Sequence, residues 1–107
     1  MTETEIKYQE RIVKANMNIC NILGIDEFVD FLEDSNVIHI IKAFYIVNKP
    51  DIYKMHISTS ANITTVNIQN SIMGSTVSHS VSDDFAAAIL LAVSQFIEYQ
   101  GQEYRPV

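Results

Sequence analysis

Three histidines and one cysteine, His39, His56, His79 and Cys20, are the side chains of this 107-residue chain best suited to metal or nucleophilic chemistry. Three imidazoles that converge on one point could hold a catalytic zinc ion. No two of the histidines have the short spacing of paired zinc ligands. Cys20 falls in the apolar stripe of a predicted helix, where burial keeps a thiol unreactive. We therefore expect ordinary sheet histidines, an inert thiol, no metal and no cofactor.

Acid–base chemistry has a candidate pair in Asp83 and Asp84. Both directly follow Ser82, so we interpret them as partners of a helix N-terminus. A catalytic group of His39, His56 and Asp83 would require the fold to bring the three together. The motifs of serine hydrolases, zinc proteases and phosphate-binding loops do not occur in the chain. We therefore expect no catalytic residue and no enzyme.

The charge of the chain is acidic and unevenly distributed, with 13 Asp and Glu against 7 Lys and Arg and a net charge of −6. Phosphate contacts need clustered Lys and Arg, so we expect no direct binding of nucleic acid. Five carboxylates fall close together without a basic residue between them: Asp26, Glu27, Asp30, Glu33 and Asp34. This cluster is either the solvated face of a helix or a surface for the basic site of a partner protein.

A second compositional feature is the segment 55–82, which contains no Asp, Glu, Lys or Arg. It is rich in Ser, Thr and Asn, whose hydroxyls and amides can bind a polar ligand or form an uncharged interface. The other interpretation is a sheet surface that is rich in Thr because of its β propensity. Both interpretations stay open.

Two N-terminal helices are predicted. Residues 2–23 form the first, and Gly24 ends it. Helical spacing assigns it a stripe of apolar side chains, Ile6, Val13, Met17 and Cys20, with three more beside it: Ile12, Ile19 and Leu23. Asn18 lies on the opposite, polar face of the wheel. Residues 26–34 are predicted to form a second, shorter helix. Its inward side chains are expected to be Phe28, Phe31 and Leu32.

The middle of the chain predicts strands. Residues 37–47 are dense in β-branched and aromatic side chains and predict a central strand, with 52–58 as its partner in a hairpin. Segments 62–69 and 76–81 predict two more strands. Strands that follow one another between helices are typical of the α+β class with an antiparallel sheet, here of three to four strands.

The last helix begins after Ser82 and is closed by Gly101. Its apolar stripe covers about half of its circumference, which is wide for a surface helix. We therefore expect a homo-oligomer, with an interface on this helix: Phe85, Ile89, Phe96 and Tyr99. Residues 1–107 are expected to form one domain, in which 101–107 are a loose tail.

Localisation is expected to be cytoplasmic. No apolar run approaches the about 18 residues of a membrane span, so we expect no contact with a membrane. The first ten residues, MTETEIKYQE, are charged and lack the apolar core of a signal peptide.

Segment 62–99 contains a short strand, a polar cap and an alanine-rich amphipathic helix in SVSDDFAAAILLAVSQFIE. It resembles the closing unit of small phage-encoded α/β-sandwich proteins. The small size, acidity and lack of catalytic motifs are also similar to anti-CRISPR inhibitors and to acidic immunity proteins. This resemblance implies an anti-defence role in a host cytoplasm, and it assigns no functional residue.

The leading prediction is a non-enzymatic binding protein that inhibits or assists a partner protein. It would occupy the partner's basic site with the five clustered carboxylates. The alternative is a homo-oligomer that holds a small polar molecule between subunits. Its pocket would be built from the neutral segment 55–82 and the last helix.

Overall fold

The computed structural model describes residues 1–27 and 29–106 and has an α+β fold. Its elements are, in chain order, α1 (Glu3–Leu23), a 3₁₀ turn (Asp34–Asn36), α2 (Val37–Val47), β1 (Tyr53–Ser60), β2 (Ile63–Asn70), β3 (Thr76–Ser82) and α3 (Phe85–Tyr99). The predicted class, the antiparallel sheet and the C-terminal helix are confirmed. Among the helices described, none has the length and apolar character needed to cross a membrane.

Helix α1 has the ends that its sequence predicts. The Glu5 N–H donates to Thr2 Oγ1 at 3.1 Å, so Thr2 is the N-cap. Gly24 follows the last turn with φ of 68°, a left-handed conformation that glycine adopts without the cost of a Cβ clash. The predicted boundaries of this helix are therefore confirmed.

The predicted inward face of α1 is confirmed for Ile12 and Ile19, which lie beside the predicted stripe, and is wrong for most of the stripe itself. The side chains that α1 buries are Ile12, Ala15, Asn18 and Ile19. Ile6, Val13 and Met17 instead lie 44%, 58% and 40% exposed. On a wheel of 3.6 residues per turn, they occupy the side opposite the buried set. Helix α1 is thus apolar on two faces, and among the described residues one of these faces is buried in the core while the other is largely exposed.

The predicted helix at 26–34 is also wrong, since the described part of this segment is irregular up to the 3₁₀ turn. The Asp30 carboxylate accepts a hydrogen bond from the Leu32 N–H at 3.0 Å, a local bond that competes with helix formation. Acidic side chains at the C-terminal end also oppose a helix dipole. The predicted inward position of Phe28 lies outside the described residues.

Residues 37–47 form helix α2, which corrects the prediction of a central strand and of its hairpin with 52–58. The buried side chains recur every three or four positions, as in a helix: Val37, Ile40, Ala43, Phe44 and Val47. The contacts of this face with α3 and α1 override the β propensity of the segment.

The sheet has three antiparallel strands in the order β1-β2-β3. Strand β1 pairs with β2 from Tyr53 opposite Asn70 to Ser60 opposite Ile63. The predicted strands at 52–58, 62–69 and 76–81 are therefore confirmed, although the first has a different partner. A bulge in the pairing of β2 with β3 lies at Ile68/Gln69.

Helix α3 lies at the centre of the molecule. It packs against β2 and β3 on one side and against α1 and α2 on the other. Phe96 is fully buried there, with its ring centroid 5.2 Å from that of Phe44 and 5.0 Å from that of Tyr53. Contacts within one subunit thus cover most of its wide apolar circumference, which was the reason for expecting an oligomer.

Candidate functional site

The five clustered carboxylates lie on the segment that joins α1 to α2, residues 25–36, here called the acidic loop. All five are exposed: Asp26, Glu27, Asp30, Glu33 and Asp34. Their exposure agrees with the sequence, whereas their placement on a loop replaces the predicted helix face. A loop can present carboxylates over a wider range of directions than one helix face can.

Hydrophobic contacts hold the acidic loop against the body of the protein. Phe31 is fully buried, and its neighbours Val29 and Leu32 pack against the same core. At the start of the loop, the Ile25 N–H donates to the Cys20 carbonyl at 2.9 Å. The charged residues therefore alternate with apolar anchors.

Hydrogen bonds within the loop centre on Asp30. Its carboxylate binds the Leu32 N–H at 3.0 Å, and its carbonyl accepts from Asn36 Nδ2 at 2.8 Å. The Asn36 N–H donates to the Glu33 carbonyl at 2.9 Å. Asp30 thus has a structural role, which leaves the other four carboxylates with fewer local constraints.

No ion pair in the described part of the chain involves the acidic loop. The pairs found there are Lys7 with Glu3, Lys14 with Glu98 and Arg105 with Glu103. Because no described cation lies within 4 Å of a loop carboxylate, the field of the loop is not neutralised by a direct partner. Such an uncompensated cluster attracts positive charge over about a Debye length.

The neutral segment 55–82 forms most of the sheet, whose outer face bears a polar row across the strands. In the register, His56 lies opposite Asn67, and Asn67 lies opposite His79. The His79 Nδ1 and the Asn67 Oδ1 are hydrogen-bonded. Both histidines are exposed, and α3 covers the other face of the sheet.

The predicted catalytic and metal candidates do not form a cluster. His39 lies on α2 and not on a strand, so it belongs to the helical layer, on the other side of α3 from the sheet. Across the described residues, no group of three His, Cys, Asp or Glu side chains has the geometry to hold a metal ion. Burial raises the pKa of the Cys20 thiol, which lowers the fraction of reactive thiolate.

The carboxylates at the start of α3 act at its N-terminus. The Ala87 N–H donates to Asp84 Oδ1 at 3.1 Å, so Asp84 is the N-cap, and α3 begins two residues later than the predicted start directly after Ser82. Ser82 Oγ in turn accepts from the Asp84 N–H at 3.0 Å. Asp83 is exposed beside this cap. Capping accounts for the position of Asp84.

The fold buries two of the four residues predicted for the oligomer interface and leaves the other two exposed. Ile89 and Phe96 are fully buried inside the subunit and present no surface to a second one. Phe85 and Tyr99, 40% and 54% exposed, remain accessible.

The C-terminal tail is hydrogen-bonded to α1, because the Tyr104 N–H donates to Asn18 Oδ1 at 2.7 Å.

Two of the exposed apolar features of the described chain, besides Ile38, Tyr45 and Ile46 of α2, were missed in the sequence. One is the stripe Ile6, Val13 and Met17 of α1, whose spacing was recognised but assigned to the core. The other is the β2–β3 turn, where Ile72 and Met73 are 76% and 78% exposed. A signal for this turn was its position beside Gly74 at the tip of a hairpin.

The described chain thus presents an acidic surface on the loop, a polar surface on the outer face of the sheet, and apolar surfaces that include the α1 stripe and the β2–β3 turn. Comparisons of the chain with protein-family models, with curated proteins and with solved structures find no match.

Proposed function

We propose that this protein is a non-enzymatic binding protein whose acidic loop occupies the basic site of a partner protein. It is an inhibitor or accessory protein of the phage anti-defence or immunity type, acting in the cytoplasm. One observation carries the proposal: five exposed carboxylates lie on an anchored loop, with no ion pair to any described cation. Binding residues are commonly found on loops that a rigid scaffold positions.

The anchoring of the loop favours affinity. A segment that is ordered before binding loses less conformational entropy when it meets its partner. Burial of Phe31 and the hydrogen bonds of Asp30 order the loop in the free protein. The carboxylates can then contact a basic site without first folding the segment.

The charge of the loop favours rapid and selective association. Uncompensated charge of one sign steers an oppositely charged partner and raises the association rate, an effect that salt weakens. A site that normally receives the phosphates of nucleic acid is rich in Lys and Arg. Carboxylates placed there compete with phosphate by charge, which is the basis of the proposed inhibition.

Affinity capture from the cells that naturally contain the protein tests this function. The bait is the full chain, either with its own sequence or with Glu27→Gln and Glu33→Gln. These changes remove two exposed charges and keep Asp30, whose carboxylate holds the loop. Quantitative mass spectrometry of the captured proteins should show a partner that is lost with the double variant.

A second double variant, Glu5→Gln with Asp83→Asn, is the matched control. It removes two exposed carboxylates outside the acidic loop and gives the same net charge. It should retain the partner at the level of the unmodified chain. Equal loss with both variants would show a dependence on net charge alone and would contradict the proposed role of the loop.

The outer face of the sheet supports a second candidate, a homo-oligomer that binds a small polar ligand. The row of His56, Asn67 and His79 presents hydrogen-bonding groups without a fixed charge from Asp, Glu, Lys or Arg. Helix α3 covers the opposite face, so a pocket here would need a second subunit for its other wall. A thermal-shift screen with nucleotides and polar metabolites tests this candidate, since a bound ligand raises the melting temperature. Asn67→Ala should abolish any rise.

A further inference from the structure

We infer that the exposed stripe of α1, formed by Ile6, Val13 and Met17, packs against α1 of a second copy of this chain in the antiparallel direction, with Ile6 of each copy beside Val13 of the other and Met17 beside the N-terminal end of the other helix. The two copies are related by a two-fold axis near Tyr8 and Gln9. This interface differs from the one predicted on α3, and it adjoins the acidic loop, since Met17 lines one groove with Ile25 and Asp26 and Val13 lines another with Leu32.

The spacing of the apolar side chains in the α1 stripe suits packing against another helix. Ile6, Val13 and Met17 recur at seven- and four-residue intervals, so they line one side of the helix. Every residue from Thr2 to Arg11 is exposed, so this half of α1 buries no side chain in its own subunit. A helix in a subunit normally buries its apolar stripe, whereas in the described chain Ile6, Val13 and Met17 stay at least 40% exposed.

The charge pattern favours a second copy as the partner, because the Lys7–Glu3 and Lys14–Glu98 pairs of one subunit can be extended by opposite charges across an antiparallel interface. Beside the stripe, α1 carries a row of alternating charges: Glu3, Lys7, Glu10 and Lys14. Two antiparallel copies place Glu3 near Lys14 of the second copy and Lys7 near Glu10 of the second copy. Both pairings are symmetric about the same point between Tyr8 and Gln9, as a two-fold interface requires.

A parallel arrangement does not have this complementarity. In a parallel two-fold pair, the charged row would face the other edge of the stripe on the second copy. Within α1, that edge has Glu5 as its charged side chain, beside neutral Gln9 and Asn16. Glu3 and Glu10 would then gain no opposite charge. The charge pattern therefore selects the antiparallel arrangement.

The body of the protein leaves room for the second helix. The buried face of α1 is opposite the stripe, so the rest of each subunit lies on the outer side of the helix pair. A groove of 540 Å³ runs along the stripe, and Tyr104 and Pro106 form its wall near Met17. The N-terminal end of α1 from the second copy would lie against this wall.

The expected interface is small. Residues 3–17 span about 21 Å of helix, and one helix pair of this length is at the low end of protein interface sizes. The dimer should therefore form at micromolar concentrations and separate on dilution.

Sedimentation velocity of the full chain between about 1 and 200 µM tests the dimer. The weight-average mass should rise with concentration from monomer towards dimer. Val13→Glu puts a charge in the middle of the stripe and should remain monomeric throughout. Ile72→Glu alters an even more exposed apolar side chain away from α1 and should dimerise normally. A monomeric natural chain at every concentration, or a dimer that survives Val13→Glu, would overturn the inference.

The antiparallel arrangement has its own test in two charge variants. Glu3→Lys with Glu10→Lys makes the row entirely basic, and Lys7→Glu with Lys14→Glu makes it entirely acidic. Each variant alone should be monomeric because like charges would meet. An equimolar mixture should form heterodimers, since every antiparallel pair is then basic with acidic. A mixture that stays monomeric at concentrations where the natural chain dimerises would overturn the assigned orientation.

Discussion

The side-chain amide of Asn18 donates a hydrogen bond to Ser94 Oγ at 3.0 Å between helices α1 and α3. Both residues are buried, and Asn18 Oδ1 accepts a hydrogen bond from the Tyr104 N–H at 2.7 Å. A buried amide requires such partners, because an unpaired polar group in a core is costly. The polar contact therefore fixes the rotation of α1, which leaves Val13 and Met17 exposed.

Replacing Asn18 with Leu should destabilise the protein, although it increases the hydrophobicity of the core. The substitution leaves the Ser94 hydroxyl and the Tyr104 N–H without their partner. We expect the free energy of unfolding to fall by about 1–3 kcal/mol, as measured by urea denaturation. Asn21→Leu, at an exposed position of the same helix, should change it by about 0.5 kcal/mol or less. Equal effects of the two variants would contradict the role assigned to Asn18.

Phe31 should carry much of the anchoring of the acidic loop. Phe31→Ala removes a fully buried aromatic ring and should lower the free energy of unfolding by about 3–5 kcal/mol. Amide hydrogen exchange should also become faster around Leu32 and Asn36, whose groups bind Asp30. Unchanged exchange there would show that the loop is ordered without the ring.

The β1–β2 turn contains a residue that glycine should improve. Ala61 has φ of 54°, a left-handed conformation that costs a residue with a Cβ about 1 kcal/mol. Ala61→Gly should therefore stabilise the protein by up to about 1 kcal/mol in thermal or urea unfolding. Ala43→Gly, inside α2, should instead destabilise it. A loss of stability with Ala61→Gly would contradict the described turn.

The Cys20 thiol should react slowly in the folded protein. Burial raises its pKa, so at pH 8 it has less thiolate than an unfolded cysteine, and thiolate is the reactive form. Alkylation by iodoacetamide should be slower than in urea-unfolded protein at the same pH and should accelerate as the pH rises. A folded rate equal to the unfolded rate would contradict the burial.

The secondary structure of a segment could be predicted from the sequence where its ends carry clear signals. It could not be predicted where the apolar residues fit a strand and a helix equally well. Thr2 and Gly24 delimit α1 by local chemistry. In strands β2 and β3, successive side chains alternate between the two faces of the sheet, as the sequence predicts. In 37–47, both alternating sets are apolar, and such a run does not distinguish a buried strand from a helix. Its contacts with α3 decide the outcome, and these are tertiary.

The candidate site also has features that could be predicted from the sequence and features that could not. The exposure of the five carboxylates follows from their charge, and it was predictable. Their support by Phe31 and Asp30 depends on loop geometry, which the helical pattern of 26–34 concealed. The rotation of α1 depends on Asn18, a polar residue that periodicity assigns to solvent.

The central claim is that the acidic loop binds a basic partner, and calorimetry with the purified partner tests it most directly. The natural chain and the Glu5→Gln/Asp83→Asn control should bind the partner with the same Kd, and this Kd should rise as salt is added. Glu27→Gln/Glu33→Gln should bind at least about tenfold more weakly, a loss of about 1.4 kcal/mol. A Kd for this variant equal to that of the control would contradict the proposed function.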